Sequence, residues 1–339
     1  MNILVIKISA IGDVIMALPL VPAIKAMHPG ANITWLVGDS AAPLLNCVAG
    51  IDRVVTVSEQ HIFKGSLFQR IKAVLCLRKR LTDFYDMVLV GNYHPAYAML
   101  GRITRHKTLR TFKKGRLPLP GRYHGCEYIR LFDQLSGPLE NYPKFPILKD
   151  FNLTSGDELP TDRPLIALAP GGASNPLADD WQRRWPLSYF VELAQHISAR
   201  GGMPVLLGGH AEKHLSAKFS GIKLYDFIGQ TSLLEALGIL KQCNCLISND
   251  SGLMHLGLLA SFPVVIGLFG PTAPSEKLPG GMGGIPVTCH PPLPCMPCYN
   301  GRGYLPCSTN ICMKSLTVDR VMAFLDNLDI LFAATSDRL

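Results

Sequence analysis

Four short polar stretches follow apolar runs, and each carries residues able to do chemistry. The richest is Asn249-Asp250-Ser251-Gly252-Leu253-Met254-His255. A helix starting at Ser251-Gly252 presents unpaired backbone N–H groups and the positive end of its dipole, which suits a phosphate. Ser251 adds a hydroxyl, Asp250 a carboxylate, and His255 falls one turn along on the same face. Phe269-Gly270-Pro271-Thr272, after the next apolar run, would close the same site.

The second stretch runs from Pro170-Gly171-Gly172-Ala173-Ser174-Asn175 to Gln182-Arg183-Arg184-Trp185-Pro186. Its glycines allow close backbone approach. Its two arginines could grip a diphosphate with forked donors, or simply pair with Asp179 and Asp180. The third is Gly208-Gly209-His210-Ala211-Glu212. Glu212 could accept from sugar or ribose hydroxyls, or cap the following helix. The fourth is Ser9-Ala10-Ile11-Gly12-Asp13. Asp13 could be a general base, or a helix-capping carboxylate.

Five of the ten cysteines crowd into residues 289–312. Cys295-x2-Cys298-x8-Cys307-x4-Cys312 offers four thiolates for a structural zinc or iron. Reduced loop thiols are the alternative. Cys47, Cys76, Cys126, Cys243 and Cys245 are scattered and read as small apolar residues.

These stretches need elements to place them. Asn2–Ile8 is a short β-branched run, followed by helical periodicity over Val14–Met27. Further strands are expected at Ile33–Val37, Val54–Val57 and Met87–Val90, the last after a helical Leu67–Leu81. The pattern fades over Gly137–Pro164, which carries five prolines and reads as a linker. It resumes with strands at Leu165–Ala169, Pro204–Leu207, Cys245–Ser248 and Pro263–Phe269. Helices are expected at Leu187–Arg200, Ser232–Gln242, Ser251–Ala260 and Leu316–Phe332. The fold class is therefore α/β, with two doubly wound parallel sheets. Ligands of such sheets bind beyond the carboxyl ends of the strands, where all four polar stretches lie.

Composition narrows the function. The 339 residues are 48% hydrophobic and 17% charged, which excludes a disordered chain. The net charge is +8. Residues 1–160 hold 20 basic and 12 acidic residues, and the remainder 13 of each, so the excess is all in the first half. It is densest over Lys64–Arg130, which suits an anionic partner or is simply a solvated surface. The apolar run Gly252–Gly270 contains His255 and Pro263, so it reads as a buried helix and strand rather than a membrane span. No secretory signal pattern is present, and a cytoplasmic protein is expected.

These loops, in this order, resemble glycosyltransferase family nine, the bacterial heptosyltransferases of lipopolysaccharide synthesis. The most specific parts are Lys7-Ile-Ser-Ala-Ile-Gly-Asp13, Asn249–His255 and Phe269–Thr272. The resemblance implies a GT-B architecture, two Rossmann-like domains facing a central cleft. Residues 1–155 would bind acceptor and 156–316 the nucleotide sugar, with the Cys-rich loop 289–312 in the second and a terminal helix at 317–339. It implies inversion without a catalytic metal or other cofactor. Asp13 matches the catalytic base. Asp250, Ser251, Gly252 and His255 match the donor motif, with Ser251 where threonine is common. Arg183 stands where lysine is usual, Glu212 near a sugar-contacting glutamate, and Ser174 near a donor-contacting hydroxyl.

The mechanism expected is a single displacement. Asp13, a carboxylate at neutral pH, takes the acceptor proton. Arg183, the Ser251-Gly252 terminus and His255 stabilise the leaving diphosphate. The expected partners are ADP-heptose and an anionic lipopolysaccharide-core glycolipid, with peripheral contact at the inner membrane and no nucleic acid. Another nucleotide sugar or a protein acceptor is the alternative. A nucleic-acid binder with a zinc module is a further one, but leaves the anion-ready loops unexplained. A dinucleotide oxidoreductase lacks its GxGxxG.

Overall fold

A computed structural model describes residues 1–92, 95–112, 118–134, 144–149, 159, 162–173, 179–260, 264–280, 283–301 and 303–328. The chain divides into two compact units, Met1–Asn152 and Leu153–Leu339.

Among its described residues unit one has five strands: β1 (Asn2–Ile6), β2 (Asn32–Gly38), β3 (Arg53–Val57), β4 (Phe84–Val90) and β5 (Arg105–Thr111). All pair in parallel, in the order β3-β2-β1-β4-β5. β1 and most of β2 and β4 are buried on both faces, as their unbroken apolar sequences require. The strand order reverses between β1 and β4, whose ends pair as Ile6 with Val90. That reversal is where a doubly wound sheet opens a crevice, and Lys7–Asp13 leads out of it.

The helix expected over Val14–Met27 is two helices, Ile11–Ala17 and Leu20–Met27. The break falls at Leu18-Pro19, because proline has no N–H to donate. β5 was not expected: its sequence, RHKTLRT, has few apolar residues because the strand lies at a sheet edge and is only partly buried.

Among its described residues unit two has six parallel strands: β6 (Leu165–Ala169), β7 (Met203–Leu206), β8 (Tyr225–Asp226), β9 (Cys245–Asn249), β10 (Val265–Leu268) and β11 (Gly284–Val287). Their order is β11-β10-β9-β6-β7-β8, which reverses between β6 and β9. Ala169 pairs with Ser248 there, so the loops after β6 and β9 emerge side by side. β8 and β11 are short outer strands that the sequence pattern does not reveal. Gly252–Gly270 is a helix, Gly252–Leu259, then β10, as expected. Among the described residues no helix is long and apolar enough to cross a membrane.

The terminal helix spans Val318–Asn327, with the Thr317 hydroxyl accepting from the Arg320 N–H. Val318, Val321, Met322 and Leu325 join Phe190, Ile197 and Trp185 in one core, which binds this helix into unit two. The expected linker Gly137–Pro164 lies largely outside the described residues, as does the end of the chain beyond Leu328. Within it, Leu148 bridges Val48, so this short piece belongs to unit one.

Candidate functional site

In unit one the chain leaves β1 with Lys7 still buried and turns into the Ile11–Ala17 helix, which carries Asp13 in its first turn. Lys7 Nζ donates to Asp13 Oδ2 at 3.0 Å. The lysine side chain is 3% exposed and the aspartate 39%, so a buried ammonium holds an accessible carboxylate. Burial alone would lower the Lys7 pKa, but Asp13 and the neighbouring Tyr128 raise it well above the ordinary lysine value. Lys7 Nζ also sits 5.8 Å from the centre of the Tyr128 ring. Burial pushes the Tyr128 hydroxyl up to about 12, so it stays protonated. Gly91, just past β4, leaves the space for this packing. A Cβ there would meet Tyr128 Cε1 at 3.0 Å and Lys7 Cδ at 3.4 Å. A fixed, water-accessible carboxylate suits proton abstraction. Sequence reasoning found Asp13 and passed over Lys7, whose neighbours in sequence show only a strand end.

In unit two the side chain of Asn249 ties three segments together. Its Nδ2 donates to the carbonyls of Pro170 and Gly171 at 3.2 and 2.9 Å, and its Oδ1 accepts from the Trp185 N–H at 2.9 Å. Trp185 is buried against Phe190, and its indole N–H donates to the Leu316 carbonyl at 2.7 Å. This fixes the start of the Leu187–Ala199 helix and, just before it, Arg183 and Arg184. Gly172 has φ +84°, and a Cβ there would lie 2.4 Å from Ser251 Cβ, so only glycine fits.

Asp250 lies at the centre of the cluster, 2% exposed. Arg183 Nη1 is 3.5 Å from Asp250 Oδ2, and Arg183 Nη2 is 3.4 Å from Asp180. His255 Nε2 is 3.9 Å from Asp250 Oδ1, a charged pair only when the imidazole is protonated. Burial would raise the Asp250 pKa, but Arg183 first, then Lys277 and His255, hold it below the usual carboxylate range. Asp250 Oδ2 and the nearby Thr272 Oγ1 are both buried without a hydrogen-bond partner of normal geometry among the described residues.

Arg183 is held on further sides. Its Nε donates to the Tyr304 hydroxyl at 2.6 Å, and its guanidinium carbon lies 5.2 and 5.8 Å from the ring centres of Tyr299 and Tyr304. The two tyrosines bridge each other in antiparallel fashion, and the N–H groups of Cys298 and Tyr299 both donate to the Pro271 carbonyl at 2.9 Å. Lys277 is buried, with Nζ 6.0 Å from the Tyr299 ring. The result is a concentration of fixed cationic donors, which suits an anion with charge on several oxygens.

The other expected residues separate. Arg184 pairs with Asp179 and donates to the Gly172 carbonyl at 3.0 Å. Both pairings with acids that the sequence suggests are therefore present, and Arg183 adds Asp250. Ser251 precedes the Gly252–Leu259 helix without capping it through its side chain, and its hydroxyl lies 3.2 Å from that of Ser248. Glu212 accepts from the N–H groups of Gly172 and Gly209, the latter at 2.7 Å, and so joins the loops after β6 and β7. A cavity of about 590 Å³ opens beside it, lined by Gly171, Trp181, Arg184, Glu212, His214 and Asn310 among others. That volume falls in the range of small-molecule sites. Ser174 lies outside the described residues.

The expected four-cysteine metal site is not assembled. Among the described residues no group of three or more His, Cys, Asp or Glu could hold a metal ion. The cysteines have different surroundings instead. Cys295 and Cys307 are exposed and Cys298 is intermediate. Cys312 belongs to the hydrophobic core of unit two, packed with Met313 against Gly270. Burial pushes its thiol up to about 11. Cys307 Sγ accepts from the Asn310 N–H at 3.4 Å, and the backbone N–H groups of Asn310 and Thr309 lower its pKa.

Residues 75–300 match the family model of glycosyltransferase family 9 (heptosyltransferase). The chain belongs to that family. Family 9 members are glycosyltransferases, and this chain is one. Lipooligosaccharide heptosyltransferase 2 of Haemophilus ducreyi is 26% identical over 309 residues, covering 82% of this chain and 86% of its own. The fold is shared with a family 9 glycosyltransferase of Veillonella parvula, at a TM-score of 0.77 and 18% identity, with 98% and 97% of the chains covered. It is shared also with ADP-heptose lps heptosyltransferase II of E. coli, at a TM-score of 0.70 and 21% identity, with 98% and 99% covered. These solved family 9 structures carry the GT-B fold named above. The family match begins at residue 75, so it includes Arg183, Asp250 and His255 but not Asp13.

Proposed function

We propose that this enzyme transfers heptose from ADP-heptose to an anionic glycolipid acceptor of the lipopolysaccharide inner core, with inversion at the anomeric carbon. Unit one takes the acceptor and unit two the donor. The observation that carries this reading is the Arg183 cluster. A guanidinium stacked by two tyrosines and tethered to Asp250 stands near the Gly252–Leu259 helix, in a chain whose curated relatives are named heptosyltransferases.

The chemistry follows from where charge develops. Asp13 accepts the proton of the acceptor hydroxyl as that oxygen attacks the anomeric carbon. The bond to the nucleoside diphosphate breaks, and negative charge grows on its phosphates. Arg183, the first-turn N–H groups after Ser251-Gly252 and His255 stabilise that charge, and Lys277 adds to the field. Asp250 does not face the phosphates directly. It holds Arg183 and His255 in place and offsets the charge of the guanidinium. Glu212 and Ser174 are assigned to the donor side as well, Glu212 by shaping the Gly172 loop.

The test is titration calorimetry with ADP, UDP and GDP, paired with turnover on ADP-heptose and a lipopolysaccharide-core acceptor. ADP binding that weakens at least tenfold in Arg183→Ala, with turnover abolished in Asp13→Asn, supports the proposal. Preference for UDP or GDP would move the enzyme to another sugar donor. Absence of nucleotide binding would overturn the donor-site assignment.

A further inference from the structure

The helix Leu67–Arg80 in unit one has an unusual surface. Ser66 caps it: its hydroxyl accepts from the Gln69 N–H at 3.3 Å, and Gln69 Oε1 accepts from the Ser66 N–H at 2.8 Å. The helix is therefore well begun, yet Leu77 is its only fully buried residue. Leu67, Phe68, Ile71 and Leu75 are 75, 76, 49 and 55% exposed. At about 100° per residue, these four share one arc of roughly 100°, and Leu77 lies well outside it. The helix thus has two apolar faces, one against the core and one bare.

Its charges are one-sided too. The sequence LFQRIKAVLCLRKR has five basic residues and no acidic one. Lys72 and Lys79 border one side of the bare arc and Arg78 falls within it. Long basic side chains can lie along an apolar boundary while their charges reach outward.

A partner must satisfy both features. A second copy would set five cations against five. Nucleic acid would use the cations but leave four large apolar side chains in water. An anionic lipid surface takes apolar side chains into its acyl boundary and basic ones at its headgroups. We propose that Leu67–Arg80 is an interfacial membrane-docking helix, lying in the headgroup plane of an anionic bilayer with Leu67, Phe68, Ile71 and Leu75 inserted. It deepens the reading above, in which the acceptor is a glycolipid, and gives unit one the means to work at the surface where such an acceptor resides.

The experiment is sedimentation of the full chain with vesicles of phosphatidylcholine alone and of phosphatidylcholine mixed with phosphatidylglycerol. Wild type is expected to bind the anionic vesicles at least ~10-fold more tightly than the neutral ones. The pairs Phe68→Ser/Ile71→Ser and Lys72→Glu/Lys79→Glu should each lose roughly tenfold in vesicle affinity. ADP affinity should stay within about twofold, since both pairs belong to unit one and the donor is assigned to unit two; this also checks folding. In Phe68→Trp, emission should shift to the blue on adding anionic vesicles, which reports insertion rather than mere attraction. Wild-type binding by the Phe68→Ser/Ile71→Ser pair, or no blue shift, would overturn the proposal. So would a dimer in light scattering that this pair dissolves, or equal retention on duplex DNA. Vesicle binding without nucleotide binding would leave the docking helix standing and remove the transferase assignment. Nucleotide binding and turnover without vesicle binding would do the reverse.

Discussion

Lys7 and Asp13 form an asymmetric ion pair, 3.0 Å between Nζ and Oδ2, in which the cation is buried and the anion is accessible. The asymmetry decides what each substitution does. Removing Asp13 leaves a buried ammonium without its main partner. Removing Lys7 leaves a carboxylate that water can reach.

Asp13→Asn is therefore expected to lower kcat by about 10²–10⁴, the usual scale for a lost general base. ADP affinity should be unchanged. Asp13→Ala should melt earlier than Asp13→Asn, because the amide oxygen can still accept from Lys7. Calorimetric melting and steady-state turnover of the two variants check both statements.

Lys7→Met should fold and bind nucleotide, and cost only about 1 kcal/mol, because the partner left behind is solvated. Its effect should appear in the pH profile. Without the neighbouring ammonium, protonation of the carboxylate becomes easier, so the acid limb of kcat/KM moves to higher pH. The wild-type pair itself should be indifferent to pH across the neutral range. A lysine whose folded pKa is raised contributes stability that is complete below the unfolded value near 10.4. That contribution is lost only as pH climbs through the folded value. A profile identical to wild type would show that Lys7 does not act on Asp13.

Asp250 behaves in the opposite sense. Its folded pKa is depressed, so its contribution is complete above the unfolded value near 3.9 and is lost as pH falls through the lower folded value. Wild type should lose stability steeply below about pH 4 for this reason. Asp250→Asn leaves Arg183 and Lys277 buried without their shared anion and should cost about 3–5 kcal/mol. Chemical denaturation at neutral and acid pH measures both, and a variant as stable as wild type would contradict the assignment.

Arg183→Lys keeps the charge but loses the fork and the planar face. ADP affinity should fall roughly tenfold, close to the loss in Arg183→Ala. Tyr304→Phe removes one hydrogen bond from a charged donor but keeps the ring, so a loss of about 1.5–3 kcal/mol in binding is the upper expectation. Tyr304→Ala should exceed it. Equal affinities for Tyr304→Phe and wild type would mean that the two rings and the carboxylates of Asp180 and Asp250 hold the arginine without that hydrogen bond.

The cysteines give an independent check. Cys307 is exposed, and its thiolate is favoured by backbone N–H groups. Cys312 is buried and its thiol is pushed up to about 11. Iodoacetamide at neutral pH should modify Cys307 well before Cys312, which should react only on unfolding. Peptide mapping over time decides the order.

Much of the central architecture was legible because buried parallel strands must be continuously apolar. β1, β2, β4, β6, β7, β9 and β10 all read that way. The edge strand β5 is polar and partly exposed, so its sequence carried no such pattern. The break at Pro19 was missed because periodicity continues across it. Asp13, Arg183, Asp250 and His255 announced themselves by following strands. Lys277 did not. It sits in Pro274–Lys277, a short polar helix that reads as surface, and tertiary packing buries it within reach of Tyr299 and Asp250. Tyr299 and Tyr304 were overlooked for another reason: the cysteines around them suggested a metal, whereas the loop's visible work is done by its aromatic residues.

The hairpin of Tyr299 and Tyr304 also binds two distant positions into one inheritance. Arg183 relies on a phenol 121 residues downstream. A lysine at 183 has no planar face to lay on two rings and no Nε–H fork to reach the phenol, and the rings without arginine would leave a half-buried hydroxyl idle. A drift from one anchor to the other is therefore easiest as a paired change. A chimera that exchanges the 295–312 segment for that of a lysine-bearing relative should work only when residue 183 is exchanged with it.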